Sequence, residues 1–172
     1  GVIAPLSGPV AAYGESVKKG IQAADGTGIK IVYEDEGCDP KTAITAFKKL
    51  IELDHATVII GPACGSPQKA VAPLVAASHV VAITPSAAPQ ELYPLSSGMM
   101  FDMQYSLEDE SNFLAKKMYE LGYKNVAIIA YQNEFSAVNQ KSFTTNYAGT
   151  VVTTLSLDDT STTIDTDLLR LS

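Results

Sequence analysis

The chain predicts an α/β fold, a doubly wound parallel sheet, from two observations. Short apolar runs alternate with amphipathic helical patterns along its whole length, and the connections carry recognisable turn and helix-start residues. Strands separated in this way by helices run parallel through right-handed crossovers. Near-continuous apolar runs such as Val126-Ala127-Ile128-Ile129-Ala130 suit strands covered on both faces.

Each element follows from its own residues. A strand is expected over Val2 to Ala4, a helix over Ala12 to Ala24 and a second strand over Lys30 to Glu34. Asp39 as cap and Pro40 in the first turn open a helix from Pro40 to Leu53, with Ala43, Ile44, Phe47, Leu50 and Ile51 on one face. A strand over Thr57 to Ile60 then turns sharply through Gly61-Pro62-Ala63-Cys64-Gly65-Ser66-Pro67 into a helix over Pro67 to Ser78. Ser66 is the expected N-cap there, Pro67 suits the first helical position, and Pro73 predicts a kink or a shortened helix. A strand over Val80 to Thr84 follows. From Pro85 to Tyr105 the alternation lapses into Pro, Ser, Gly and Met, which puts a boundary near Gln104 between a first lobe, 1–104, and the beginning of a second, 105–172. The second lobe resumes with a helix over Leu107 to Leu121. Ser106 caps it, Glu108, Asp109 and Glu110 lie in its first turn, and Gly122 stands just past its end. A strand over Val126 to Tyr131, a helix over Phe135 to Tyr147 and a strand over Thr150 to Leu155 complete the pattern.

Composition bounds the classes of function. With 172 residues, 46% hydrophobic and 18% charged, the chain can bury a core in one or two domains. Its net charge of −7, with no basic cluster larger than pairs such as Lys18-Lys19, argues against nucleic acid or an anionic membrane surface as partner. Apolar runs such as Val71 to Ile83 are broken by Pro73, Ser78 and His79 and are too short to cross a bilayer, so no direct membrane insertion is expected. The N-terminus has no basic region followed by an apolar stretch, so any targeting segment is expected to have been removed or never included.

Enzyme signatures are weak. No G-x-G-x-x-G follows a strand and no G-x-x-x-x-G-K-[ST] occurs, so no dinucleotide, P-loop nucleotide or other cofactor is expected. His55 and His79 stand near helix ends and read as surface residues. The group Glu34-Asp35-Glu36 with Asp39 reads as a solvated loop at a strand end, with a metal site as its alternative, and no metal is predicted. Cys64 at a helix start is a candidate nucleophile. Cys38 and Cys64 lie in loops after neighbouring strands. They read either as free buried thiols or as a disulfide worth roughly 3 to 4 kcal/mol, which would require an oxidising compartment. The turn before Pro67 carries the clearest chemistry: the first backbone N–H groups and positive dipole end of its helix form a site for a carboxylate or phosphate.

Four ordered segments resemble the leucine/isoleucine/valine-binding family of type I periplasmic binding proteins. They are Ala4-Pro5-Leu6-Ser7-Gly8-Pro9-Val10-Ala11-Ala12-Tyr13-Gly14, Tyr33 to Lys41, Gly61 to Leu74 and Ile83-Thr84-Pro85-Ser86-Ala87. The likeness continues through Ala127 to Phe135 and Thr166-Asp167-Leu168-Leu169. It implies a two-lobed clamshell that captures a small solute, closes about the crossover near Met99 to Ser106, and delivers the solute to the permease of an ABC importer. The location implied is the periplasm or the extracellular face, with or without a lipid anchor. The resemblance implies a ligand carboxylate against Cys64, Gly65 and Ser66, an amino-acid head held by Ser86, Ala87 and Ala88, an aromatic flank at Tyr13, and a Cys38 to Cys64 bridge.

Several positions depart from that pattern. Gly65 stands where a serine is common, Ala88 where a threonine is common, and Phe135 where a tyrosine faces the cleft. A side-chain hydrogen bond to a charged group is worth about 1.5 to 3 kcal/mol, so without these hydroxyls the expected ligand is small and partly apolar with one carboxylate or comparable acceptor. The chain stops at Leu168-Leu169-Arg170-Leu171, inside what resembles a second-lobe helix, and the connection Ala24 to Ile29 is tighter than usual, as expected of a fragment or of omitted segments. Taken literally, such a chain exposes apolar surface and is expected to dimerise or aggregate. Two other classes fit the same lobes: a ligand-sensing receptor domain or amide-type regulator, and a small α/β enzyme built on Cys64.

Overall fold

The computed structural model describes residues 1–24 and 28–158. The expected helix at Leu168 to Leu171, the segment Thr166 to Leu169 and the centre of the Ala24 to Ile29 connection lie outside them. The chain divides into two compact units, Gly1–Tyr105 and Ser106–Ser172.

The first unit is a five-stranded parallel sheet with strand order β2-β1-β3-β4-β5. Its strands are β1 (Val2–Ala4), β2 (Tyr33–Asp35), β3 (Val58–Ile60), β4 (Val81–Thr84) and β5 (Met100–Asp102), connected by α1 (Ala11–Ala23), α2 (Pro40–Glu52), α3 (Gly65–Ser78) and α4 (Leu92–Leu95). Val2 pairs with both Tyr33 and Ile60, and Ile60 in turn with Ile83. Phe47 and Leu50 of α2, Val71 and Val75 of α3, and Ile3, Ile59 and Ala82 of the sheet form one core. The apolar face read from α2 is therefore the face that covers the sheet, with Ala46 added and Ile44 and Ile51 only partly buried. At the start of α2, Asp39 Oδ1 accepts from Thr42 N–H at 2.7 Å. Replacing Asp39 by alanine is expected to lower the urea midpoint of unfolding with unchanged slope.

Four local expectations differ from the structure. The second strand is Tyr33–Asp35, not Lys30 to Glu34, because its register on β1 begins only where Val2 meets Tyr33. The lapse from Pro85 to Tyr105 contains α4 and β5; Ser96 Oγ accepts from Met100 N–H and starts β5 after a turn with Ser97 and Gly98 at positive φ. Helix α3 starts at Gly65 with Cys64 as N-cap, so Ser66 is not the cap and Pro67 is third in the helix. Pro73 does not shorten α3, which runs on to Ser78; its ring lies on the exposed side, where water can satisfy the carbonyl it leaves unbonded.

The second unit contains α5 (Leu107–Glu120), β6 (Asn125–Tyr131), α6 (Glu134–Asn146) and β7 (Thr150–Leu157), with β6 and β7 parallel. Ser106 caps α5 by accepting from Asp109 N–H, and Asn133 caps α6 by accepting from Ser136 N–H. Ala115, Val126, Phe143 and Tyr147 form its core, with the Phe143 and Tyr147 rings stacked at 5.0 Å. Among the described residues, β6 is covered on one face only. Val126 is buried while Ala127, Ile129 and Tyr131 are exposed, so the expectation of a strand covered on both faces does not hold among the described residues of this unit.

Candidate functional site

The strand order places β1 beside β3, with β2 on one side of the pair and β4 and β5 on the other. Connections leaving β1 and β3 therefore diverge, and open α/β sheets bind ligands at the carboxyl ends of strands at such a switch point. The loops after β1, β2, β3 and β4 all leave from those ends.

The β3 loop is built by close backbone approach. Gly61 has φ +108 and lies so near Ile3 that a Cβ would overlap the Ile3 carbonyl, so glycine is required. Its N–H donates to the Ile83 carbonyl at 2.7 Å. Ala63 and Cys64 then direct their N–H groups at one oxygen of Glu36, each at 3.0 Å. Glu36 itself is anchored to β1 by its N–H on the Ala4 carbonyl. The next backbone donors, Gly65 and Ser66, are the first two residues of α3 and have no protein acceptor among the described residues. Two N–H groups at a positive dipole end remain for an incoming acceptor.

Neighbouring loops brace this start. Cys38 and Cys64 form a disulfide with Cα atoms 5.4 Å apart, which removes the nucleophile reading of Cys64. Asp35 Oδ1 accepts from Leu6 N–H at 2.8 Å and Gly37 N–H at 2.9 Å, joining the β1 and β2 loops. Burial alone would raise its pKa, but hydrogen bonds from Ser7, Gly37 and Leu6 outweigh it and hold the carboxyl below its usual range. Ser86 Oγ donates to the Ala63 carbonyl at 2.6 Å and accepts from Gln68 Nε2 at 3.0 Å, fastening the β4 loop to the β3 loop. Thr84 Oγ1 donates to the Ser86 carbonyl at 2.9 Å.

Sequence reasoning missed Gln68 altogether and, having placed Glu36 in a solvated loop, missed its burial. Both side chains are 0% exposed, and each has one oxygen with no partner among the described residues, Oε2 of Glu36 and Oε1 of Gln68. Burial pushes the Glu36 carboxyl up to about 7 against the lowering effect of the Cys64 and Ala63 N–H groups. The acidic run is thus not a uniformly solvated loop: Glu34 pairs with Lys49 at 2.6 Å, Asp35 bridges two loops and Glu36 is sealed inside. Glu36, Cys38 and Cys64 lie close enough to resemble a metal triad, but both sulfurs are spent in the disulfide. His55 and His79 occupy positive-φ positions at or near helix ends, and His79 is the C-cap of α3.

The structure therefore brings together Cys38, Cys64, Gly65, Ser66 and Ser86. Ala87 follows Ser86 in the same loop, while Ala88 is packed in the hydrophobic core at 3% exposure. Tyr13 stands on α1 with 69% of its surface exposed, and Phe135 belongs to α6 of the second unit, 52% exposed. Among the described residues, no helix is long and apolar enough to cross a membrane.

A family model described as periplasmic binding protein matches residues 1–165. The Leu/Ile/Val-binding protein BraC3 of Rhizobium johnstonii is 35% identical over 102 residues, covering 54% of this chain and 28% of that protein. The leucine-, isoleucine-, valine-, threonine- and alanine-binding protein of Pseudomonas aeruginosa is 27% identical over 134 residues, covering 72% of this chain and 35% of that protein. Two solved structures share the fold. One is a solute binding protein of an ABC transporter from Rhodopseudomonas palustris HaA2 in complex with p-hydroxybenzoic acid, with TM-score 0.88, 23% identity, and coverage of 99% of this chain and 49% of that one. The other is LivJ from Streptococcus pneumoniae in complex with isoleucine, with TM-score 0.84, 23% identity, and coverage of 99% and 52%. The chain thus spans about half the length of these structures. The parallel sheet, its switch point and the braced start of α3 agree with the match over 1–165: the chain belongs to the periplasmic binding protein family.

Proposed function

We propose that the chain is part of an extracytoplasmic solute-binding component of an ABC importer, which holds a small, partly apolar ligand by its carboxylate and makes or breaks no bond. The observation that carries this reading is the pair of N–H groups of Gly65 and Ser66, without an acceptor among the described residues, at the switch point of the sheet. The relatives named above support the ligand class, since their names and bound molecules are amino acids and an aromatic acid. Ser86 and Ala87 are proposed to border the ligand head. Tyr13, Ala88 and Phe135 enter on the resemblance alone. The disulfide supports a location outside the reducing cytosol, the periplasm or the extracellular face.

The test is calorimetric titration with isoleucine, benzoate and 4-hydroxybenzoate, in the wild type and in Gly65→Pro. Proline is well suited to the first helical position, and Cys64 before it already has the extended backbone that precedes proline, φ −96 and ψ 144. The substitution therefore removes one donor and keeps the helix. Saturable binding of at least one probe is expected, weakened roughly 10- to 100-fold by Gly65→Pro with an unchanged melting temperature. Absence of binding across the panel, or equal affinity in the variant, would refute the reading.

A further inference from the structure

We infer that Glu36 is a positioning residue that couples ligand-carboxylate binding at the start of α3 to the uptake of a proton. The inference rests on the reading of Gly65 and Ser66 as the carboxylate site and adds a role for a buried group behind it.

The geometry is unusual for a carboxylate. Glu36 is 0% exposed, one oxygen receives the N–H groups of Ala63 and Cys64, and the other faces protein without a donor. Gln68, fixed by its Nε2 on the Pro62 carbonyl and on Ser86, leaves a second buried acceptor without a donor. Two orphan acceptors in one braced region leave it short of hydrogen-bond donors, and a proton on Glu36 turns one acceptor into a donor. No cation offsets the charge among the described residues. On its own segment the neighbours are Asp35, which disfavours ionisation, and Asp39, whose carboxylate is turned to Thr42 at the head of α2. From α2 the first cation is Lys41, exposed. From α3 it is Lys69, which is ion-paired with Glu91 at 2.8 Å. The β1 side offers the Ala4 carbonyl, and the β4 loop offers Thr84 and Ser86, all uncharged.

Burial pushes this carboxyl up to about 7, so near neutrality it is divided between its two forms. The donors it uses, Ala63 and Cys64, immediately precede the donors proposed for the ligand, Gly65 and Ser66. An anionic ligand there places a second negative charge at the same helix terminus, and like charges at close range favour protonation of one of them. Proton binding and ligand binding then reinforce each other, as linkage requires.

The experiment is titration of wild type and Glu36→Gln with benzoate, which stays ionised throughout, at about pH 6, 7 and 8 in buffers of different ionisation enthalpy. For full coupling, binding to the wild type is expected to weaken about tenfold from pH 6 to pH 8, with uptake approaching one proton at the upper end. In Glu36→Gln, affinity is expected to be flat with pH and its enthalpy independent of the buffer. Wild-type binding that is itself flat, with no buffer dependence, overturns the inference and leaves the functional reading standing. If no probe binds at any pH, that reading falls and the coupling falls with it. Carbon-13 NMR titration of the Glu36 carboxyl provides a check without ligand: a midpoint at an ordinary glutamate value overturns the coupling, and one near neutrality that rises on adding benzoate supports it.

Discussion

Reduction of the Cys38–Cys64 disulfide is expected to lower the unfolding free energy by about 3.5 kcal/mol in the chain-entropy account, given a sequence separation of 26 residues. For a chain of this size that corresponds to a fall in melting temperature of roughly 7 to 14 °C. The bridge also ties the loop after β2 to the first residue before α3, so its loss releases the backbone that directs Ala63 and Cys64 at Glu36. Thermal unfolding followed by circular dichroism with and without a phosphine reductant measures the effect, and the double variant Cys38→Ser with Cys64→Ser separates it from any action of the reductant. Equal melting curves in all three samples would show that the bridge adds nothing to stability.

Glu36→Gln is expected to change how stability depends on pH by on the order of 3 kcal/mol. Burial raises the folded-state carboxyl from 4.5 to about 7, so between those values the native state binds more protons than the unfolded chain. Its contribution is complete below the unfolded value and is lost as pH rises through about 7. Asp35 and Asp39 are shifted the other way. Their contributions are present above their unfolded values and disappear as pH falls through their lower folded ones, a separate, acidic window. Glutamine keeps an oxygen for Ala63 and Cys64 and carries no charge, so the variant gains relative to wild type as pH increases from about 5 to 8. Chemical unfolding at several pH values measures this, and parallel stability curves would sink it.

Local chemistry was legible wherever the deciding atoms lie within one turn of helix. Asp39 with Pro40 and Ser106 with Asp109 start α2 and α5 as their residue types require, because a cap is satisfied by N–H groups two or three positions away. The start of α3 was not legible in the same way. Ser66 is a better capping residue than Cys64, yet the helix begins at Gly65, since the disulfide and the two hydrogen bonds to Glu36 hold Cys64 in an extended conformation from outside the segment. Short β5 escaped for a related reason: Met100-Phe101-Asp102 has too few residues to display a period and is a strand because Ala82, Ile83 and Thr84 pair with it.

The sequence by itself determined the α/β class, the order of its main elements, a sharp turn from β3 into a helix, and the family its segments resemble. Those follow from periodicity, capping and turn chemistry, which act between near neighbours. Only the tertiary structure decided that Glu34, Asp35 and Glu36, three consecutive acids, become a surface ion pair, a bridge between loops and a sealed carboxylate. Alternation along a strand and the loop beyond it sends adjacent side chains to different surroundings, and solvation by those surroundings, not residue type, sets the charge a carboxyl carries.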